Sequence, residues 1–133
     1  MHLDPSFVVD LLRESGRGHA GPATQLLDRL GDDDLCVGLH VMCELLSGAE
    51  MAARPSLERT RVRDLCAGME VVYPDQRFPA MYARVLAALE RARQKISAMD
   101  LLIATAALVD DAPLVTRNTR DFARVAGLEL VGY

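Results

Sequence analysis

The chain has 133 residues, half of them hydrophobic and 26% charged, which argues against a disordered or collagen-like polymer and predicts one compact domain over 1–133. Its formal net charge of −4 is unlike the basic balance of a typical nucleic-acid-binding domain. Carboxylates holding a divalent metal would nonetheless raise the acidic count while presenting positive charge to a phosphate, so charge alone does not exclude such a partner. Cys36, Cys43 and Cys66 form an odd set without CxxC spacing, and His2, His19 and His40 lack HExxH spacing; both patterns argue against a disulfide framework or a zinc hydrolase.

In chain order, a short strand near His2–Asp4 leads into a helix beginning at Ser6, with Phe7, Val8, Leu11 and Leu12 as its apolar stripe and Gly16 and Gly18 at its end. A second helix covers Pro22–Leu30, and Asp32-Asp33-Asp34 forms a turn. A strand is expected over Leu35–Leu39, followed by a helix through His40–Met51 that breaks near Arg54-Pro55, because proline disfavours helix at the residue before it. Another helix runs from Ser56 to about Ala67, where Gly68 stops it, and Met69–Tyr73 is the third strand, closed by Pro74.

A long amphipathic helix follows over Pro79–Lys95, with Met81, Tyr82, Val85, Leu89 and Ala92 at helical spacing. Ser97 opens an apolar helix over 100–109, Leu114–Thr116 is the fourth strand, a helical turn covers 119–124, and Leu128–Val131 is the last strand. The longest apolar-rich stretch, Leu101–Val109, is far short of the roughly 20 residues of a membrane helix. The start Met1-His2-Leu3-Asp4 has no signal-peptide pattern, so a cytoplasmic location is expected.

Strands alternating with helices predict an α/β fold, a parallel sheet covered on both faces, with ligands at the carboxyl ends of the strands. Four acids could converge there. Asp4 follows the first strand, although Asp-Pro is also an ordinary turn signal. Glu44 lies in HVMCELLSGA, where it could instead pair with His40 one turn earlier on an exposed stripe. Asp100 and Asp121 each follow a capping residue, Ser97 and Asn118, by three positions, which an acid at a helix start also explains. Carboxylates crowded on one edge repel and need protons or cations, and hard oxygen ligands suit Mg²⁺ or Mn²⁺.

The blocks LDPSFVVDLL, CELLSGA, ISAMDLLIATAAL and LVTRNTRDFARVAGLEL occur in this order across nearly the whole chain. Together they resemble the PIN domain, particularly the ribonuclease toxins of VapBC-type toxin–antitoxin pairs. The resemblance implies a three-layer α/β/α fold with a mostly parallel five-stranded sheet and a Mg²⁺- or Mn²⁺-dependent endoribonuclease site. Its acids fall on Asp4, Glu44, Asp100 and Asp121, with Ser6, Thr116 and Asn118 as supports. One or two metal ions held by these acids would lower the pKa of a water and orient it for in-line attack on RNA. Arg117, Arg120 and Arg124 would meet the RNA phosphates, and Arg91, Lys95, Arg59 and Arg63 are weaker candidates.

The same resemblance implies a homodimer and a VapB-like antitoxin over the site, in keeping with helices near 5–30 and 40–67 that carry more apolar residues than one sheet face needs. Three departures stand out: Pro5 where the family usually has threonine, Val41 where a hydroxyl residue often precedes the glutamate, and Lys95-Ile96 where a glycine is common. The alternative is a catalytically silent PIN-like module that binds RNA or protein. A receiver domain would need a lysine at a late strand end, and the sole lysine is Lys95. A haloacid-dehalogenase-type phosphatase would want an aspartate where Ser6 stands.

Overall fold

The computed structural model describes residues 1–31 and 33–133; of the expected acidic turn, Asp32 lies outside the described residues. Five strands, β1 (His2–Leu3), β2 (Cys36–Gly38), β3 (Glu70–Val72), β4 (Leu114–Val115) and β5 (Leu130–Val131), form one sheet in the order β3-β2-β1-β4-β5. Every pairing is parallel, with His2 opposite both Cys36 and Leu114 and Val115 opposite Val131. The strand–helix alternation predicted a parallel sheet and the family resemblance a mostly parallel one; the described sheet is parallel throughout, because helical segments separate consecutive strands and each return must be a crossover.

The chain moves outward from β1 through β2 to β3, then crosses back to β4 on the other side of β1. The strand order therefore reverses between β1 and β4. A crevice opens at such a switch point, outside the carboxyl ends of the two strands.

Seven helices flank the sheet among the described residues: α1 (Pro5–Arg17), α2 (Pro22–Leu30), α3 (Leu39–Glu50), α4 (Pro55–Cys66), α5 (Phe78–Ala92), α6 (Ala98–Val109) and α7 (Thr119–Phe122). The cap of α1 is Asp4, whose side chain accepts from the Ser6 amide, so the helix starts at Pro5, one residue before the expected Ser6. Pro5 sits at the first helical position, where its missing N–H costs nothing and its fixed φ suits the helix. The helix stops at Gly18, whose φ of 69° places it in the left-handed region.

Ser97 caps α6 by accepting from the Asp100 amide, as its spacing predicted. Leu101, Ile103, Ala104, Thr105 and Ala107 of that helix are buried, so α6 is a core element. Leu3, Phe7, Val37, Leu114, Val115 and Phe122 are fully buried at the centre of the core. Their burial, on the order of 1.5–3 kcal/mol for each large side chain, fixes β1 and β4 beneath the crevice. None of the described helices is long and apolar enough to cross a membrane.

Candidate active site

Asp4 and Thr116 are the first residues beyond β1 and β4, so the switch point places them side by side. Asp4 is only 5% exposed, and a carboxylate so placed is costly unless hydrogen-bonded. Its Oδ2 accepts from the Ser6 amide (3.2 Å), the Ser6 hydroxyl (2.5 Å) and the Thr116 hydroxyl (2.9 Å). Both hydroxyl protons are directed at Asp4, so the 3.4 Å approach of the two hydroxyl oxygens is a consequence of the shared acceptor.

The hydroxyl oxygens accept in their turn. The Asn118 amide donates to Thr116 Oγ1 (2.9 Å) and the Arg117 amide to Ser6 Oγ (3.2 Å). The backbone after β4 is thus stitched to the start of α1 through the hydroxyls that orient Asp4. Oδ1 of Asp4 accepts no hydrogen bond among the described residues and remains available to a ligand.

The remaining acids approach from other elements. Glu44 is exposed on α3, and partial desolvation, then the carboxylates of Asp4 and Asp100, push its pKa upward. Asp100, partly buried in the first turn of α6, is pushed up chiefly by burial; the hydrogen bond with Ser97 opposes this, and Asp4 and Asp121 add to it. Asp121 on α7 accepts from the Asn118 side-chain amide at 3.2 Å, and Arg124 lies 3.8 Å from its other oxygen.

The four acids therefore share one region and repel one another. No three His, Cys, Asp or Glu side chains among the described residues are drawn close enough to form a ready-made metal nest. By donor chemistry the set fits a hard divalent cation: all oxygen, surplus negative charge, and one free oxygen on a braced carboxylate.

The arginines differ in their surroundings. Arg117 Nη1 donates to both oxygens of Asp10, at 3.0 and 2.9 Å. Arg124 Nη1 donates to the Lys95 carbonyl at 2.7 Å, tying the segment just after α7 to the one before α6. Arg120 is exposed and makes no hydrogen bond or ion pair among the described residues. Of the weaker candidates, Arg59 is held by Glu50 at 2.6 Å.

The His40–Glu44 pair does not form; His40 stacks on Phe78, with ring centres 5.5 Å apart, and burial lowers its pKa. A cleft of about 480 Å³ adjoins the acids, lined among others by Ser6, Val9, Glu44, Leu45, Val62 and Arg117. Asp10 and Tyr133 were not singled out from the sequence. The contacts of Asp10 with Arg117 and with Tyr133 each span over a hundred positions, and no local spacing signals them.

A parallel α/β/α sheet with carboxylates gathered around its switch point defines the structural class. The model of the PIN domain matches residues 1–128, and the chain belongs to that family. It is 26% identical to ribonuclease VapC1 of Haemophilus influenzae (strain R2866) over 127 residues, covering 96% of this chain and 92% of that protein. It is 27% identical to the tRNA(fMet)-specific endonuclease VapC of Shigella flexneri over 99 residues, covering 74% and 75% of the two chains. Among solved structures, VapBC2 of Rickettsia felis, bound to a DNA fragment from its promoter, superposes with a TM-score of 0.90 at 21% identity, covering 99% of this chain and 97% of that one.

Proposed function

We propose that residues 1–133 act as one domain, a metal-dependent endoribonuclease that serves as the toxin of a type II toxin–antitoxin pair in the cytoplasm. The observation that carries this reading is the braced carboxylate at the switch point: Asp4 is oriented by Ser6 and Thr116, with Glu44 and Asp100 near enough to share its field. Membership of the PIN family and the VapC ribonucleases among its relatives support the choice of RNA as substrate.

Asp4, Glu44, Asp100 and Asp121 would hold one or two divalent ions, Mg²⁺ or Mn²⁺, which supply Lewis acidity and positive charge toward a phosphodiester. Ser6 and Thr116 fix the direction of the Asp4 carboxylate, and Asn118 fixes that of Asp121. Arg117 and Arg120 carry positive charge toward the phosphates beside the site. Arg124, already bonded to the Lys95 carbonyl, supports the position of Asp121 more than it reaches for RNA.

The partly apolar cleft beside Glu44, together with exposed Met51 and Leu57 at the α3–α4 corner, supports a protein partner, a VapB-like antitoxin, and a homodimer is part of the same reading. The separation of the four acids favours one second reading, a silent module that binds RNA or protein without cutting. Cleavage of a panel of structured RNAs with Mg²⁺, Mn²⁺ or EDTA separates the two. Metal-dependent cutting that is lost in Asp4→Asn and Asp100→Asn supports the nuclease; intact, partner-free protein that cuts no RNA supports the silent module.

A further inference from the structure

Asp10 stands one turn after Ser6 on α1, so both project from one side of the helix. Its side chain is 14% exposed and receives Arg117 Nη1 on both oxygens. The Tyr133 hydroxyl donates to Oδ2 of the same carboxylate at 2.7 Å, and Arg13 lies 3.7 Å from Oδ1. The Tyr133 ring packs edge-on against fully buried Phe7, with centres 5.1 Å apart, which anchors it to the core. Burial and the Asp10 carboxylate push the Tyr133 pKa upward, so its hydroxyl stays a donor.

Arg117 is therefore held by one nitrogen only. Its side chain is 57% exposed, and its Nε and Nη2 make no hydrogen bond among the described residues. The amide of the same residue donates to Ser6 Oγ, the hydroxyl that orients Asp4. Arg117 also borders two clefts, one with Ser6 and Glu44 and a second of about 370 Å³ with Arg13 and Arg17.

We propose that Asp10 and Tyr133 are positioning residues that hold the Arg117 guanidinium as the seat for an RNA phosphate at the mouth of the acid site. The choice of RNA rests on the function proposed above. A free arginine side chain gives up rotamer entropy when it is fixed on a ligand. Tethering Nη1 removes part of that cost beforehand while leaving a two-nitrogen edge for the phosphate.

Charge and positioning make opposite predictions here. Removing the Asp10 negative charge strengthens RNA binding if bulk electrostatics rule, and weakens it if the tether matters. Binding of a short fluorescein-labelled single-stranded RNA is measured by anisotropy in EDTA across a salt series, so no cutting intervenes. Arg117→Ala is expected to weaken binding roughly 10-fold and to reduce the salt slope by about 1. Asp10→Asn and Tyr133→Phe are each expected to weaken it ~3- to 5-fold, the effect of a lost orienting hydrogen bond, and to have no further effect in the Arg117→Ala background.

Unchanged or tighter binding by folded Asp10→Asn and Tyr133→Phe, losses that persist without Arg117, or wild-type protein that binds no RNA would each overturn the proposal. Binding that follows the expected pattern in a protein that never cuts RNA with Mg²⁺ or Mn²⁺ upholds the tether and refutes the nuclease.

Discussion

Thr116 is fully buried, yet its hydroxyl has two partners, donating to Asp4 Oδ2 and accepting from the Asn118 amide. Thr116→Val keeps the shape and removes both, leaving a buried carboxylate short of a donor. The expected cost is about 1–3 kcal/mol in urea unfolding, and RNA cleavage falls with it; stability within a few tenths of a kcal/mol of wild type would show that water replaces the hydroxyl. Asp4, Asp100 and Asp121 were legible as acids beside a predicted strand end or helix start and Glu44 as an acid among apolar neighbours inside a helix, while Ser6, Thr116 and Asn118 were legible through the family resemblance. Asp10 and Tyr133 were not, because contacts that join α1 to the segments after β4 and β5 leave no mark on any local sequence.

The corner between α1 and α2 shows how one side chain can fasten two elements. The cap position of α2 is Gly21, which has no side chain to offer the first turn. Glu14 of α1 supplies it: its carboxylate accepts from the amides of Gly21, Ala23 and Thr24 and from the Thr24 hydroxyl at 2.6 Å. The amides are the orphan donors of a helix start, and the carboxylate also meets the positive end of the helix dipole. The Thr24 hydroxyl, followed by these amides and opposed by desolvation, lowers the Glu14 pKa from 4.5 to about 2.

A depressed carboxylate contributes stability that is present above its unfolded pKa and lost as pH falls through the folded one. Wild type should therefore lose this contribution between pH 4.5 and about 2. Denaturant unfolding at a series of pH values should show Glu14→Gln less stable than wild type near neutrality, with the gap closing across that window. A gap that does not narrow on acidification would refute the assignment. Both helices were readable from apolar spacing and from Pro22, and α2 has the predicted bounds. The Glu14 link was not, because it reaches over a turn to residues seven to ten positions away.

At the scale of the molecule, the strand order β3-β2-β1-β4-β5 gathers acids from residues 4, 44, 100 and 121 into one region. The alternation of strand and helix predicted a covered parallel sheet, and the rule for switch points selected its carboxyl edge. Periodicity within an element does not encode which strands become neighbours, so the strand order emerges only from long-range packing.

The central claim is that these separated carboxylates form one divalent-cation centre. Calorimetric titration of Mn²⁺ into the antitoxin-free protein tests it most directly, with Asp4→Asn and Asp100→Asn alongside. The account predicts saturable binding by wild type that both variants lose or weaken by at least about tenfold, a change of roughly 1.4 kcal/mol. Binding of equal strength in folded wild type and both variants, or no binding by any of them, would contradict it.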